Sequence, residues 1–335
     1  MNSNLSQNKT GFGRWVSEKR AALKERLRKK YNFESRQSFL FCYLLLLFPF
    51  VFFLVFWVYV NIDSVLLSFK GADGGFTLDH YKELFSSFVK EDRMGMRITD
   101  ILKRTMITWL VSQIVFVPSM LSTYILYRKL PGHYIFRTVY TIPGVLGGVV
   151  LTMIYKYFVN ANGPLLLIAQ SWGIEIPLEV QMKGLLGSSA TAFATLCFMI
   201  AIPGSFAFNF VISGAYARIP ADLYEVGALE GLGFIREFFT VVIPLIWGTL
   251  VITVIGAMSG VFLTDNGSFL YTNGQYDTAC MGYYIFIYTK QVADNNGSNA
   301  LLGYPSALGV LLTAVTVPIV LVVRHIMEKV NDVSY

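Results

Sequence analysis

Six stretches of the sequence are apolar over about 20 residues, the length that an α-helix needs to cross the hydrocarbon core of a bilayer. They are Phe39–Val60, Thr105–Tyr127, Ile135–Phe158, Ser188–Ile212, Val241–Thr264 and Gly303–Val323. Lipid offers no hydrogen-bond partner to backbone amides and carbonyls, so helices are the expected form of these runs. The sequence therefore predicts an all-α membrane protein with about six transmembrane helices.

The scarcity of ionisable residues argues against several classes of transporter. Charged residues make up 14% of the 335 residues, against about a quarter in soluble domains. The interiors of the six runs contain no Asp, Glu, Lys, Arg or His, and Arg137 and Lys156 lie near the ends of the third run. Proton-coupled transporters and voltage sensors need ionisable side chains inside the membrane. A transporter of this composition is expected to take its energy from another chain and to carry a neutral solute.

The positions of Lys and Arg predict the orientation, because cytoplasmic segments are enriched in both. With the N-terminus inside, the inner segments contain 17 of the 27 Lys and Arg residues but 9 of the 21 acids. The prediction is a multi-pass membrane protein with both termini, 1–38 and 324–335, in the cytoplasm. After the first transmembrane helix, 39–60, segment 61–104 is predicted to be an extracytoplasmic loop and 105–323 a core of five helices.

Residues 14–31 have the pattern of a basic amphipathic helix. Such a helix can lie on the anionic lipids of the cytoplasmic leaflet. The alternative is a flexible tail whose role is to fix the orientation of the chain. Both interpretations assign the net charge of +6 to membrane lipid and topology, with no nucleic acid as a partner.

Sequence motifs of catalysis and cofactor binding are missing. The three cysteines and three histidines are scattered, without the spacing of a metal site or a disulfide framework. The sequence lacks a Gly-x4-Gly-Lys-Ser/Thr phosphate loop, a Gly-x-Ser-x-Gly elbow and a His-Glu-x-x-His helix. We therefore predict no catalytic residues, no metal and no cofactor, and a membrane-embedded enzyme is disfavoured.

The segment between the fourth and fifth runs has the pattern of two short helices that meet at a corner. It begins Ile219-Pro-Ala-Asp-Leu-Tyr-Glu and ends Val-Val-Ile-Pro244-Leu. Pro220 suits the first turn of a helix, and Gly231 and Gly233 then break that helix. Glu225 is expected to project from the first helix on the cytoplasmic side.

This segment resembles the signature of type I ATP-binding-cassette (ABC) importer permeases. Glu225, Gly231, Phe238 and Pro244 fall at the positions of the Glu, Gly, Phe and Pro of that signature. The departures are Val226 and Gly227 for two alanines, Glu230 for Asp and Leu232 for Ala. The resemblance implies that segment 214–240 is a coupling loop that docks into a cleft of an ATPase subunit. The residues implied for this role are Glu225, Gly227, Ala228, Glu230 and Gly231.

Three further segments resemble the carbohydrate branch of that family. They are Phe136-Arg-Thr138 followed by Pro143, Gly303-Tyr-Pro-Ser-Ala307, and Leu270-Tyr-Thr-Asn-Gly274, whose family Gly-Pro is replaced by Gln275 and Tyr276. The C-terminal residues 331–335 lack the Gln-Arg-x-Phe ending of the second permease in such pairs. The chain thus resembles the first permease of a maltose-type heterodimer.

The resemblance implies a transport subunit of the bacterial plasma (inner) membrane and not an enzyme. Such a subunit belongs to a binding-protein-dependent importer that moves a neutral sugar or oligosaccharide inward by alternating access. The implied partners are a second permease, two ABC ATPase subunits and an extracytoplasmic solute-binding protein. The alternative function is a secondary transporter or channel for a neutral solute. Candidates for the substrate path are Thr152, Met153 and Asn209, and Asn209 is alternatively an interhelical hydrogen bonder.

Overall fold

The computed structural model of the chain describes residues 36–71, 75–92, 95–128, 132–205, 209–265, 267–294 and 302–330. Within these ranges it consists of helices, turns and one isolated β-bridge between Lys70 and Phe76. The basic segment 14–31 and the C-terminal residues 331–335 lie outside the described residues. The chain forms two units, Met1–Ser64 and Val65–Tyr335.

The first unit contains helix α1 (Arg36–Phe53), the π-helical segment Leu54–Tyr59 and the start of α2 (Val60–Ser68). Most of the large apolar side chains between Phe39 and Val60 are exposed to more than a third of their surface. A helix that is apolar on all sides is suited to a surrounding of lipid. The predicted first run thus forms a helix throughout its length.

The second unit continues with a series of helices of very different lengths. They are α3 (Asp79–Ser86), α4 (Ile98–Tyr127), α5 (His133–Val145), α6 (Gly148–Val159), α7 (Pro164–Ser171), α8 (Leu178–Lys183), α9 (Ala192–Ser205), α10 (Phe210–Tyr216), α11 (Ala221–Leu229), α12 (Phe234–Glu237), α13 (Ile243–Leu245), α14 (Trp247–Ser259), α15 (Ser268–Thr272), α16 (Met281–Asp294) and α17 (Gly303–Val330). A second π-helical segment, Phe238–Val242, joins α12 to α13.

Three helices of the described residues are long and apolar enough to cross a membrane: Phe39–Ser68, Ile98–Tyr127 and Gly303–Val330. A fourth crossing is possible if the bent pair Phe234–Leu245 and Trp247–Ser259 counts as one span. These helices correspond to the predicted first, second, sixth and fifth runs. The helices of the second and sixth runs extend beyond the predicted limits, starting at Ile98 and ending at Val330.

The predicted third and fourth runs are each divided into two helices. In the third run, Leu146 and Gly147 are extended and separate α5 from α6, just after Pro143-Gly144. In the fourth run, α9 ends at Ser205 and α10 begins at Phe210. Proline and glycine in these positions weaken the helix, and the freed backbone groups need new partners.

Many of the buried side chains described in the second unit belong to two apolar clusters. The Ile98 cluster consists of Leu84, Ile98, Ile101, Met281, Tyr284, Tyr304, Leu308 and Leu312. The Tyr124 cluster consists of Met120, Tyr124, Ile212, Ala215, Tyr216, Ile219, Tyr224, Phe238, Val242, Ile246 and Leu250. Since α4 runs from Ile98 to Tyr127, it contributes to one cluster at its start and to the other at its end.

Helix α16 was missed in the sequence, where its apolar residues are interrupted by Lys290 and Gln291. It brings tyrosines to Asp92, within the predicted outer loop 61–104. Asp92 Oδ2 accepts hydrogen bonds from Tyr284 Oη at 2.5 Å and Tyr288 Oη at 2.6 Å. Tyr284 Oη also lies 2.9 Å from Tyr304 Oη at the start of α17. The carboxyl group thus links the loop to α16, and Tyr284 extends the contact to α17.

We predict that Asp92→Ala destabilises the protein, because the fully buried Tyr284 and its neighbour Tyr288 lose their acceptor. Loss of such contacts is expected to cost about 1–3 kcal/mol. The control is Asp100→Ala, which removes ion pairs with Arg97 and Lys103 and should cost at most about 1 kcal/mol because such surface pairs are weak. The measurement is the thermal unfolding midpoint in detergent. Equal midpoints for the two variants would contradict this role of Asp92.

Candidate functional site

Helix α11 of the predicted coupling loop begins and ends with defined backbone geometry. Pro220 occupies the residue directly before the helix, and its carbonyl accepts a hydrogen bond from the Leu223 amide at 3.2 Å. At the other end the Leu232 amide donates to the Gly227 carbonyl at 2.9 Å, and the Gly231 amide donates to the Ala228 carbonyl at 3.2 Å. This is a Schellman motif, which requires a left-handed residue after the helix. Gly231 has that conformation, with φ +71°.

Gly227 is buried on the inner side of the same helix end. A Cβ atom at this position would lie 3.4 Å from Leu232 Cδ1. The replacement of a family alanine by glycine therefore coincides with the place where Leu232 folds back over the helix. Because the contact involves the end of a flexible side chain, an alanine here would meet an ordinary van der Waals neighbour.

The second part of the loop leads into a sharply bent helix. After α12, the chain passes through the π-helical segment and α13, and the axis then turns by 78° into α14. Pro244 lies just before the bend and lacks the amide hydrogen that would continue the helix. Trp247, at the start of α14, donates from Nε1 to the Met327 carbonyl of α17 at 2.9 Å. The bend is thus attached to the last helix.

The outer side of α11 combines exposed acids with exposed apolar residues. Glu225, Ala228 and Glu230 are exposed, as are Val226 and Leu229, the latter to 88%. An apolar centre with an acidic rim is suited to binding a groove that has basic residues at its edge. Four of the five predicted coupling residues, all but Gly227, are therefore accessible to a partner.

The inner side of α11 is held by an aromatic contact. The guanidinium carbon of Arg128, just after α4, lies 4.6 Å from the ring centroid of Tyr224, within the range of a cation–π interaction. Burial raises the pKa of Tyr224 to about 12, so its phenol is protonated at neutral pH. Among the described residues, no group is within hydrogen-bond distance of its hydroxyl.

Glu237 is an acid of the loop 214–240 that was not singled out from the sequence, and its side chain is 3% exposed. Tyr124 Oη donates a hydrogen bond to Glu237 Oε1, and Arg128 Nη2 lies 3.5 Å from Glu237 Oε2. The position of this acid between Phe234 and Phe238 on one helical face was the available signal that it points inward.

The three candidates for the substrate path occupy different settings. Thr152 is buried in α6 and donates from Oγ1 to the Gly148 carbonyl at 2.8 Å, whereas Met153 is 66% exposed. Asn209 caps α10, because its side-chain Oδ1 accepts a hydrogen bond from the Ile212 backbone amide at 3.1 Å. The backbone N–H of Asn209 donates to Thr123 Oγ1 of α4 at 3.2 Å. The side chain of Asn209 thus caps its own helix, and the bond to α4 is made by its backbone N–H. Both roles considered for the Asn209 side chain, and the path itself, stay predictions.

Comparison with known proteins shows that the sequence is similar to permeases of transport systems. No family model matches the chain. A probable ABC transporter permease of Bacillus subtilis, YurN, is 26% identical over 54% of this chain and 59% of YurN. The sulfoquinovosyl glycerol transport system permease SmoG of Agrobacterium fabrum is 29% identical over 41% of this chain and 43% of SmoG. The multiple sugar-binding transport system permease MsmF of Streptococcus mutans is 24% identical over 55% of this chain and 60% of MsmF. The matched regions thus span less than two thirds of these relatives.

Two solved structures resemble the fold over most of its length. One is described as a bacterial ABC transporter involved in the import of the acidic polysaccharide alginate, with a TM-score of 0.66 and 17% identity. The other is a bacterial alginate ABC transporter in complex with an alginate pentasaccharide-bound periplasmic protein, with a TM-score of 0.68 and 16% identity. Each match covers 92% of this chain and 100% of the other.

These likenesses confirm the predicted resemblance to permeases of ABC sugar importers and the predicted all-helical permease fold. The relatives are named as permeases, which agrees with the expectation of a transport subunit and not an enzyme. The orientation, the coupling residues and the substrate path stay predictions.

We predict that Gly231→Ala loosens the end of α11, because alanine at φ +71° costs about 1–2 kcal/mol. The control is Gly233→Ala, since Gly233 has φ −69° and no heavy atom within 4 Å of an added Cβ. The measurement is hydrogen–deuterium exchange of the amides at 228–232. We expect exchange about 5–30-fold faster in Gly231→Ala, as that free energy implies, and unchanged in Gly233→Ala. Equal exchange in both variants would rule out the helix-end assignment.

Proposed function

We propose that this chain is a permease subunit of an ATP-driven ABC importer that moves a carbohydrate into the cell. The observation that carries the proposal is the exposed helix α11, which ends in a glycine corner and leads into the bent helix pair. The fold and the related sequences support it, because both lead to permeases of ABC transporters. In this proposal the chain performs no bond chemistry, and ATP is hydrolysed on a separate ATPase chain.

The proposed role of α11 is to dock into a cleft of the ATPase subunit. Leu229 and Val226 would enter the cleft, and Glu225 and Glu230 would pair with basic residues at its edge. Ala228, with its small side chain, would allow close approach, and Gly231 would set the angle of the chain as it leaves the helix. Charge-assisted contacts of this kind fix orientation as well as affinity.

The proposed mechanism is alternating access. ATP binding would close two ATPase subunits and displace the docked loop, and the attached helices would then reorient around a central path. The bend between α13 and α14 supports this, because a π-helical segment and a proline adjoin it and both interrupt the regular helix. ATP hydrolysis would return the loop to its starting position.

The proposed partners are a second permease, two ATPase subunits and an extracytoplasmic solute-binding protein. One of the similar structures contains a periplasmic protein that holds an alginate pentasaccharide. A solute-binding protein in this position would deliver its ligand to the outer side of the permease. The proposed heterodimer rests on the resemblance of the sequence to the first permease of maltose-type pairs.

The proposed substrate is a neutral sugar or oligosaccharide, because the interiors of the six apolar runs have no ionisable residue to neutralise a charged one. An acidic sugar is the second candidate, favoured by the alginate transporters of similar fold. Lys156 is an exposed cation at the end of α6 that is suited to such a substrate, although its Nζ donates to the Leu270 carbonyl at 3.2 Å.

We expect a host strain that lacks this chain to regain uptake of a neutral sugar when the chain is restored from a plasmid. The measurement is accumulation of labelled neutral sugars, in competition with sugar acids and amino acids. Restoration with Glu225→Ala should fail, because the ATPase contact is lost. The control, Glu328→Ala, removes an exposed acid that pairs with Arg324 far from the loop in sequence and should restore uptake.

Two results would contradict this proposal. Uptake restricted to an acidic sugar, without competition by neutral ones, would replace the neutral substrate with the second candidate. Normal uptake by Glu225→Ala would exclude the proposed docking of α11.

We also expect the loop 214–240 to be cytoplasmic, as ATPase docking requires. In a chain with its three cysteines replaced by alanine, Ala221→Cys places an exposed thiol at the start of α11. An impermeant maleimide should label it only after the cells are opened. The control is Ser86→Cys, exposed at the end of α3 in the predicted outer loop, which should be labelled in intact cells. Labelling of Ala221→Cys in intact cells would invert the topology.

A further inference from the structure

We infer that Glu237 is a positioning residue that fixes the loop to the C-terminal end of α4, so that displacement of α11 is passed to α4. This inference rests on the proposed function, because it assigns a route by which a docked ATPase would move the membrane helices. Glu237 lies outside the surface that would touch the ATPase, since its side chain is 3% exposed.

The Glu237 carboxyl group is bound from both sides by groups at the end of α4. Tyr124, which is fully buried, donates its hydroxyl to Oε1, and Arg128 Nη2 lies 3.5 Å from Oε2. A carboxylate removed from water is destabilising unless such partners are present. The loop is therefore most stable when Glu237 stays in this one position relative to α4.

Arg128 connects the same point to the first helix of the loop. Its guanidinium lies over the Tyr224 ring of α11, 4.6 Å from the centroid, while also facing Glu237. The two helices of the loop are thus joined to α4 through one side chain. A force on the exposed side of α11 would reach α4 through Tyr224 and Arg128 as well as through the backbone.

Aromatic packing encloses the polar contacts. The Tyr124 ring lies 5.0 Å from the Phe234 ring and 5.2 Å from the Phe238 ring, centroid to centroid. Apolar rings alone can slide against one another with little loss of stabilising free energy, since the hydrophobic effect is non-directional. Hydrogen bonds depend strongly on distance and angle. The carboxyl group therefore supplies directional bonds that keep the loop from sliding along the end of α4.

Helix α4 is also anchored at its other end, which is required if it is to move as a unit. Thr105 Oγ1 accepts a hydrogen bond from the Met281 amide at 2.9 Å, and Arg104 forms an ion pair with Asp277 at 2.5 Å. A displacement at Tyr124 would therefore change the position of α4 relative to the segment before α16. Coupling through chains of packed and hydrogen-bonded groups needs direct measurement.

Tyr216 provides a matched control within the same cluster. It is fully buried like Tyr124, and its hydroxyl donates to the Met120 carbonyl of α4 at 3.1 Å. Tyr216 belongs to α10, and within the described part of the chain its hydroxyl bonds to Met120 and not to Glu237. Tyr216→Phe therefore removes an equivalent hydroxyl without loosening the loop.

The experiment uses the whole assembly, purified from its native host through a tag on this chain and reconstituted in lipid vesicles. The measured quantity is the number of sugar molecules transported per ATP hydrolysed. We expect Glu237→Gln and Tyr124→Phe to lower this ratio about tenfold or more, the effect that loss of one hydrogen bond to a charged group has on an equilibrium. ATP hydrolysis should continue, because the docking surface is intact. Tyr216→Phe should keep the wild-type ratio.

A purely structural role would reduce the amount of assembled complex and leave the ratio per complex unchanged. That result, or an equal fall in Tyr216→Phe, would overturn the inference. If Glu237→Gln does not assemble, Tyr124→Phe and Arg128→Gln replace it. Failure of all three to assemble would assign the cluster to folding and would also overturn the inference. A wild-type assembly that transports no sugar would instead refute the proposed function.

Discussion

The hydrocarbon core of a bilayer offers backbone amides and carbonyls no hydrogen-bond partner, and the structure depends on this constraint throughout. Long unbroken helices satisfy it directly, as in α4 and α17. Where a helix is interrupted, side chains supply hydrogen-bond partners for the free backbone groups. At the start of α10, Asn209 accepts from the Ile212 amide, and Thr123 of α4 accepts from the Asn209 amide. Interruption is thus tolerated where a neighbouring helix supplies the missing acceptor.

The same constraint explains where buried polar side chains occur. The apolar runs have uncharged interiors, and two carboxyl groups that bind tyrosine hydroxyls lie beyond their ends: the half-buried Asp92 and the buried Glu237. Asp92 accepts two tyrosine hydroxyls and Glu237 accepts one. A tyrosine brings an apolar ring and a hydrogen-bond donor to the same place. A charged side chain can therefore take part in an apolar cluster without remaining unpaired.

Much of the fold could be predicted because its signals are local. Length and hydropathy identified the long helices, and Pro220, Gly231 and Pro244 identified the parts of the loop. Contacts between distant residues have no such signal: Tyr124 and Glu237 are 113 residues apart, and Asp92 and Tyr284 are 192 apart. Periodicity shows which face of a helix is apolar but not which element covers it. For this reason the contact of Glu237 with α4 was not predicted and α16 was missed.

Helix α4 connects the two clusters physically. Its 30 residues span about 45 Å at 1.5 Å per residue, the thickness of a bilayer with its headgroups. The Ile98 cluster holds one end against α16 and α17, and the Tyr124 cluster holds the other against the loop and the bent helix pair. Pro118 lies in its second half, yet the helix continues to Tyr127. A tilt of α4 that follows the loop at one end must therefore change the packing at its other end, which is the geometric basis of the proposed alternating access.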